Sequence, residues 1–168
     1  MTRILRDIHV HLPLLSDYEC DFEITQKDAV DFSCANREEF DLAYLDPPYN
    51  QHPYGSNYFM LNLIAHYERP ETCSKISGIP DDWIRSYFNK PYSARDELFS
   101  VIENLKARFF LISYNSEGFI QKDEFISGLK NIGTLTMLET KYNTYRGSRN
   151  LMNRNQYVTE YLFLLERK

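Results

Sequence analysis

The residues Asp46-Pro47-Pro48-Tyr49 directly follow the apolar run Leu42-Ala43-Tyr44-Leu45. Two consecutive prolines fix φ near about −65° and remove two N–H donors, so the turn is stiff and rich in carbonyl acceptors. Its carboxylate adds another acceptor, and its tyrosine ring adds a stacking surface. An exocyclic amine on a flat ring needs two acceptors and one stacking surface. This Asp-Pro-Pro-Tyr turn (residues 46–49) therefore predicts a site for a planar amine, with an ordinary surface turn as the simpler alternative.

The elements around this turn predict an α/β fold. Predicted strands are residues 22–25, 42–45, 108–114, 134–140 and 157–165. Helices are predicted at residues 3–12, around Trp83 and at residues 122–129. A further helix is predicted to be capped by Ser56, with apolar residues at helical spacing, namely Phe59, Met60, Leu63, Ile64 and Tyr67. Another is predicted to follow the capping box Ser93-x-x-Asp96. Strands that alternate with helices predict a mostly parallel sheet, with an antiparallel pair at the C-terminus.

Composition favours one folded domain over residues 1–168, with 43% hydrophobic and 15% aromatic residues. No apolar run approaches about 18 residues, so we expect no membrane span. The three cysteines have no metal-type spacing, which predicts reduced thiols and a cytoplasmic location. His9 and His11 have no further ligand cluster nearby, so we expect no metal site.

The net charge of −5 is unevenly distributed along the chain. Residues 17–46 hold ten acids against two bases, whereas residues 141–155 hold four bases and no acid. This basic loop (residues 141–155) includes Tyr145, Arg146, Arg149 and Arg154. It is either a solvated connection between two strands or a loop that contacts nucleic-acid phosphates.

Four blocks of this sequence resemble the adenine-specific DNA methyltransferases of the Dam-like, Asp-Pro-Pro-Tyr family. They are the turn itself, residues 54–65 (Tyr-Gly-Ser-Asn-Tyr followed by Leu-Asn-Leu-Ile-Ala), residues 111–118 (Leu-Ile-Ser-Tyr-Asn-Ser-Glu-Gly), and residues 145–150 (Tyr-Arg-Gly-Ser-Arg-Asn) with residues 160–163. The resemblance covers about residues 21–165. Aspartate at position 46 matters, because relatives that modify guanine or glutamine amides tend to carry Asn there, and cytosine-N4 enzymes tend to carry Ser.

The resemblance implies a partial Rossmann-like methyltransferase fold that moves a methyl group from S-adenosyl-L-methionine to the N6 amine of adenine in DNA, in restriction-modification fashion. It assigns the catalytic roles to Asp46, Pro47, Pro48 and Tyr49. It assigns cofactor contacts to Asp28, Ala29 and Asp46, although Asp28 is equally well an ordinary loop residue. It assigns contacts with double-stranded DNA and a flipped adenine to a larger set, namely Asn50, Asn57, Tyr58, Tyr145, Arg146, Arg149 and Arg154. For Asn50, Asn57 and Tyr58, ordinary helix-surface roles compete about evenly.

The family's Phe-x-Gly-x-Gly cofactor loop has no counterpart here, because no two of the six glycines form Gly-x-Gly. Only 45 residues precede Asp46, which leaves no room for that loop and a target-recognition segment together. We therefore expect the chain to be the C-terminal part of a methyltransferase domain that needs a separate N-terminal half or self-associates. Two alternatives stay open: a non-catalytic DNA-binding or regulatory remnant, and a methyltransferase acting on protein or RNA.

Overall fold

The computed structural model describes residues 11–76, 78–81, 86–143 and 157–168. Its strands are β1 (Phe40–Leu45), β2 (Ala107–Asn115), β3 (Gly133–Asn143) and β4 (Tyr157–Arg167). Its helices are α1 (Ala29–Ala35), α2 (Tyr54–Asn57), α3 (Phe59–His66), α4 (Ala94–Asn104) and α5 (Lys122–Ile132), with a 3₁₀ turn at Tyr87–Asn89. The helices predicted over residues 3–12 and around Trp83 lie outside the described residues, apart from residues 11 and 12, which are not helical.

The four strands form one sheet in the order β1-β2-β4-β3. β1 and β2 are parallel, whereas β4 runs antiparallel to both of its neighbours, β2 and β3. Three strands therefore point the same way, and the predicted α/β fold with an antiparallel C-terminal pair is confirmed. Because β4 is inserted between β2 and β3, its first residues reach the edge at which the other three strands end.

One face of the sheet is buried beneath the helices. Strand positions alternate between the two faces, and the odd-numbered positions of β4 and even-numbered positions of β2 point into the core. The α4 helix adds Leu98 and Ile102, which the apolar stripe of the sequence predicts. At the centre of this core, the Phe125 ring from α5 stacks on Phe163 with ring centroids 4.5 Å apart. The fully buried large side chains are Leu98, Ile102, Phe110, Ile112, Phe125, Leu129, Phe163 and Leu165.

The opposite face of the sheet remains open in the described part of the chain. β1 pairs only with β2 there, so its outer edge has no strand beside it. The apolar side chains on this open face are well exposed, at 52% for Leu42, 58% for Tyr44 and 64% for Leu138. Apolar side chains exposed together on one face of a sheet are candidates for contact with another polypeptide.

The strand predicted at residues 22–25 is wrong, because these residues adopt no regular structure. Phe22 and Ile24 are 81% and 87% exposed, so the apolar side chains that alternate in the sequence pack against nothing. A strand needs a neighbouring strand to satisfy its backbone groups, and none of the described strands lies beside this segment. Alternation alone therefore did not decide the local structure.

Neither of two serines predicted to cap a helix makes the expected capping hydrogen bond. Ser56 lies inside α2, where its hydroxyl donates to the Pro53 carbonyl at 2.9 Å, and the predicted helix is split into α2 and α3. Ser93 does precede α4, but its hydroxyl donates to the Tyr87 carbonyl at 2.8 Å and leaves the first turn of α4 uncapped. In both cases a nearby carbonyl takes the hydroxyl that the sequence pattern assigns to the helix N-terminus.

We expect Phe125→Ala to destabilise the chain by about 3–5 kcal/mol, because a ring with 0% exposure would leave a cavity among Phe99, Tyr114 and Phe163. Urea denaturation followed by far-UV circular dichroism measures this loss. Phe22→Ala is the matched control: its ring is 81% exposed, so its effect should stay below about 0.5 kcal/mol. Equal midpoints for the two variants would contradict the assignment of Phe125 to the core.

Candidate functional site

The Asp-Pro-Pro-Tyr turn begins where β1 ends, at the edge of the sheet. Leu45 pairs with Ile112 of the parallel strand β2, so Asp46 comes level with Ser113. The Asp46 side chain is exposed, whereas Pro47 is buried beneath it. The turn is therefore anchored by an apolar residue and presents its carboxylate to solvent.

Tyr49 is held in place from two sides. Its carbonyl accepts a hydrogen bond from the Phe119 N–H at 2.9 Å, and its ring meets the Tyr114 ring edge-on with centroids 6.2 Å apart. Burial raises the pKa of the Tyr49 hydroxyl above its ordinary value, while a hydrogen bond with the Asn115 side chain lowers it in part. Tyr49 thus remains a neutral, pre-positioned ring beside Asp46 at neutral pH.

The loop after the turn is fixed by an asparagine that the sequence analysis did not single out. The Asn89 side chain donates to the Asn50 carbonyl at 2.8 Å across 39 residues of sequence. Asn50 in turn accepts the His52 N–H on its own side chain at 2.9 Å, which closes a tight local turn. Asn89 lies in a segment without periodicity, so nothing local in the sequence points to this role.

The Tyr58 cleft, about 550 Å³ in volume, opens beside the Asp-Pro-Pro-Tyr turn. It brings together five residues that the sequence analysis assigned to catalysis or DNA contact, namely Asp46, Tyr49, Asn50, Asn57 and Tyr58. The rest of its wall is Pro48, His52, Tyr54, Ser113 and Glu160. The other predicted DNA contacts, Tyr145, Arg146, Arg149 and Arg154, lie outside the described residues.

The Asp28 cleft, about 760 Å³ in volume, lies on the other side of the same turn. It brings together Asp28, Ala29 and Asp46, the three residues assigned to the cofactor. The Asp28 carboxylate also has a structural role, because it accepts hydrogen bonds from the N–H groups of Val30 and Asp31 at 2.9 and 3.2 Å and so caps α1. Asp46 and Pro48 line both clefts.

Glu160 is a site residue that the sequence analysis did not assign. β4 pairs it with Asn115 of β2, two residues beyond Ser113, and it lines the Tyr58 cleft with Asp46. Burial raises the pKa of the Glu160 carboxyl, and the charges of Asp46 and Glu117 raise it further, while a hydrogen bond from Asn115 opposes the shift. Only the antiparallel register of β4 brings Glu160 to this edge, and register is not readable from one strand's sequence.

Metal-ligand clusters and membrane-spanning helices are both absent from the described residues. Nowhere in residues 11–76, 78–81, 86–143 and 157–168 do three or more potential metal ligands come together. None of the helices in those ranges is long and apolar enough to cross a membrane.

Comparison with known proteins places the chain in a family. The model of the D12 class N6 adenine-specific DNA methyltransferase matches residues 14–128, which include the Asp-Pro-Pro-Tyr turn. The chain belongs to this family. The match ends before β3 and β4, so Glu160 lies outside it. No solved structure matches the chain.

Several curated methyltransferases are similar to this chain. They include the Type II methyltransferase M.CviAII of Paramecium bursaria Chlorella virus 1 (30% identical over 125 residues, 74% of this chain), the modification methylase StsI of Streptococcus sanguinis (32% over 132 residues, 76%) and the Type II methyltransferase M.NlaIII of Neisseria lactamica (30% over 134 residues, 76%). The matched regions make up 37%, 20% and 38% of these relatives, so this chain spans only a minor part of their length.

We expect Glu160→Gln to stabilise the chain at pH 8 and to have no effect below about pH 4. Because the pKa of Glu160 is raised on folding, the folded chain binds this proton more tightly than the unfolded chain does. The wild type therefore loses stability as the pH rises from about 4.3, the ordinary carboxyl value, through the raised pKa. Glutamine has no ionisable proton, so the variant does not lose this stability as the pH rises.

Thermal unfolding between pH 4 and 8 measures the difference. Glu103→Gln, on the exposed surface of α4, is the matched control and should follow the wild type across the range. If Glu160→Gln and the wild type unfold at the same temperature at pH 8, ionisation of the Glu160 carboxyl does not destabilise the folded chain.

Proposed function

We propose that this chain forms the catalytic part of an enzyme that transfers a methyl group from S-adenosyl-L-methionine to the N6 amine of adenine in DNA. The observation that carries the proposal is the position of Asp46, which lines both the Asp28 cleft and the Tyr58 cleft. A residue shared by two adjoining clefts can act on a substrate in one while a methyl donor lies in the other. Membership of the D12 class supports the choice of adenine.

The chemistry required of Asp46 follows from the adenine amine. Its lone pair is delocalised into the purine ring, so the nitrogen is a poor nucleophile. The Asp46 carboxylate and the Pro47 carbonyl accept hydrogen bonds from the two N6 hydrogens and draw the nitrogen toward tetrahedral geometry. Positive charge then develops on N6, and an anionic acceptor stabilises the transition state more than the ground state.

The residues of the Asp28 cleft fit the methyl donor. Asp28 and Asp46 supply carboxylates that suit the donor's positive charges and ribose hydroxyls, while the wall also includes the apolar side chains of Phe88, Leu98 and Val101 that suit a purine ring. When bound, S-adenosyl-L-methionine would supply an electrophilic methyl group on a sulfonium. Because one Asp28 oxygen already caps α1, this residue would bind the donor from a fixed position.

The residues of the Tyr58 cleft fit an extrahelical adenine. A base inside a duplex is inaccessible, so it must be flipped out at a cost of a few kcal/mol. Tyr49 would stack on the flipped base, an interaction worth about 1–3 kcal/mol. Asn57 and Tyr58 line the same cleft and would contact its edges.

We also propose that a further polypeptide segment completes the enzyme. The relatives extend well beyond the matched region, which makes up 20% to 38% of their length in the three examples. The exposed apolar face with Leu42, Tyr44 and Leu138 supports a covering layer, either from an N-terminal half or from self-association.

The three cysteines are all free and exposed, which suits a reducing cytoplasm.

The alternative function, a non-catalytic DNA-binding remnant, makes a different prediction for the methyl donor. Calorimetric titration of the 168-residue chain with S-adenosyl-L-methionine separates the two functions. Heat of binding that is lost in Asp28→Ala supports a catalytic part. Sequence-independent DNA binding without any donor binding, alone or with the completing segment, would favour the remnant.

We expect Asp46→Ala to reduce methylation of adenine by at least about 10²-fold, because one preorganised electrostatic contact is commonly worth 10²–10³ in rate. Transfer of a labelled methyl group to DNA, in the form of the enzyme that methylates, measures the loss. Asp41→Ala is the matched control, since this aspartate is exposed on the same strand but lies on the wall of another cavity. Retention of more than about a tenth of the wild-type rate in Asp46→Ala would contradict the proposed role.

The basic loop is proposed to contact DNA phosphates. β3 ends at Asn143 and β4 begins at Tyr157, and the pairing register puts both residues at the edge of the sheet where Asp46 lies. The two strand ends that flank the basic loop lie at this edge, which supports the proposal that Arg146 and Arg149 contact DNA phosphates.

We expect Arg146→Ala with Arg149→Ala to weaken binding to all DNA sequences and to reduce the slope of log K against log salt by about 0.9 for each lost phosphate contact. Fluorescence anisotropy with a labelled duplex at several salt concentrations measures this slope. The control replaces Arg37 and Arg108 instead, two exposed arginines in described parts of the chain. An unchanged slope in a protein that still binds DNA would remove the loop from the interface.

A further inference from the structure

The Tyr58 cleft contains a second carboxylate for which the proposed reaction has a use. Asp46 ends β1, and Ser113, level with it on β2, continues the cleft wall. Two residues further along β2, Asn115 pairs with Glu160 of β4, and Glu160 closes the wall. Cross-strand pairs and alternate positions along a strand share one face of a sheet, so Glu160 and Ser113 point the same way.

Glu160 pairs across the sheet with a residue that cannot move freely. Asn115 is only 3% exposed, and its side-chain oxygen accepts the Glu117 N–H at 2.9 Å. Hydrogen bonding from the Asn115 side chain also acts to lower the pKa values of Glu160 and Tyr49, against the effect of burial. The strand register and this buried asparagine therefore give Glu160 a defined position at the cleft wall.

The proposed methylation leaves a proton to be removed. The N6 lone pair forms the new N–C bond as the sulfonium C–S bond breaks, and the electron pair of that bond stays on sulfur. N6 then carries a methyl group, two hydrogens and a positive charge, and it regains neutrality only by losing one proton. Pro47 offers a carbonyl, which accepts a hydrogen bond but is too weak a base to keep the proton. Protonating Asp46 would remove the charge that stabilises the transition state.

We propose that Glu160 is the proton acceptor of this reaction, receiving the N6 proton across the Tyr58 cleft and releasing it to solvent. This inference rests on the proposed function. The acceptor is a carboxylate before transfer and a carboxylic acid after it, and the N6-methyl amine leaves neutral. The two carboxylates of the cleft thus have separate roles, since Asp46 stays anionic while Glu160 changes its protonation state.

The charges around Glu160 support its role as the group that accepts the proton while Asp46 stays anionic. The groups that act on it are Asp46 after β1, Glu117 in the turn after β2 and the neutral Asn115, while Thr140, its partner on β3, carries no charge. Burial and the two acids together raise the pKa of the Glu160 carboxyl, which makes it a stronger base than an ordinary exposed glutamate. His52 is the other base on the cleft wall, in an exposed loop where its Nε2 lies 3.3 Å from the Gln51 amide.

The first experiment uses the 168-residue chain and needs no methylation. Carboxyl carbons are labelled with ¹³C, and their NMR signals are followed while 9-methyladenine is added, with Glu160→Gln and Asp46→Asn assigning the two signals. We expect both signals to shift, and we expect both to respond less when the added base is 6-dimethylaminopurine, which has no N6 hydrogen to share. A shift of Asp46 without Glu160 would overturn this inference and leave the proposed function intact. A response from neither carboxylate would overturn both.

The second experiment measures single-turnover methylation in the form of the enzyme that methylates DNA. We expect Glu160→Gln to slow the chemical step by about 10²-fold or more, with DNA affinity unchanged and the acidic limb of the pH–rate profile lost. Glu160→Asp should restore part of the rate. Glu103→Gln is the matched control, because it removes an exposed carboxylate on α4 that is not part of the cleft wall, and it should stay within about threefold of the wild type. A rate that survives Glu160→Gln but falls in His52→Gln would overturn the assignment in favour of the histidine.

Discussion

The parallel pairing of β1 with β2 is the constraint on which the candidate site depends. Parallel strands end at the same edge of a sheet, so Asp46 comes level with Ser113 although 67 positions of sequence separate them. Antiparallel β4 on the other side of β2 then starts at that edge and adds Glu160. A shift of one residue in either register would turn one of these polar side chains to the opposite, buried face. The cleft therefore depends on strand register as well as on the conformation of residues 46–58, which supply most of its wall.

Packed aromatic rings connect the core of the domain to the Asp-Pro-Pro-Tyr turn and hold the turn in position. Tyr114 contacts Phe125 in the core and Tyr49 in the turn, with ring centroids 5.1 and 6.2 Å away. The Tyr114 hydroxyl accepts a hydrogen bond from the Ile120 N–H at 3.2 Å. A Cβ at position 118 would lie 2.2 Å from the Tyr114 ring, so the turn after β2 needs Gly118 for this close approach rather than for its φ angle. Tyr49 is thus positioned by packed rings, which suits a side chain whose task is to stack on a base.

The sequence predicted the parts of the site that depend on local chemistry. The Asp-Pro-Pro-Tyr turn could be recognised because proline geometry and a preceding apolar run act within a few residues. The α4 helix could be recognised because its stripe includes Leu98 and Ile102, which are both buried. The strand expected at residues 22–25 failed because alternation does not reveal whether a partner strand exists. Glu160 and Asn89 were missed because their roles depend on β-register and on a contact across 39 residues.

The charge of the site explains why the basic loop matters to the proposed function. The charges of Asp46 and Glu117 both act on Glu160, so the cleft that would receive a flipped base repels the phosphates beside it. Favourable attraction to the backbone must therefore come from cations at the rim of the cleft rather than from its floor. Lys141, the first cation of the basic loop, lies 4.5 Å from the Tyr157 ring, so a cation–π contact joins the two strand ends that flank the loop. Under the proposed function, positive charge around an acidic floor would admit a neutral base while the phosphates stay outside, which is the separation that chemistry on an extrahelical adenine requires.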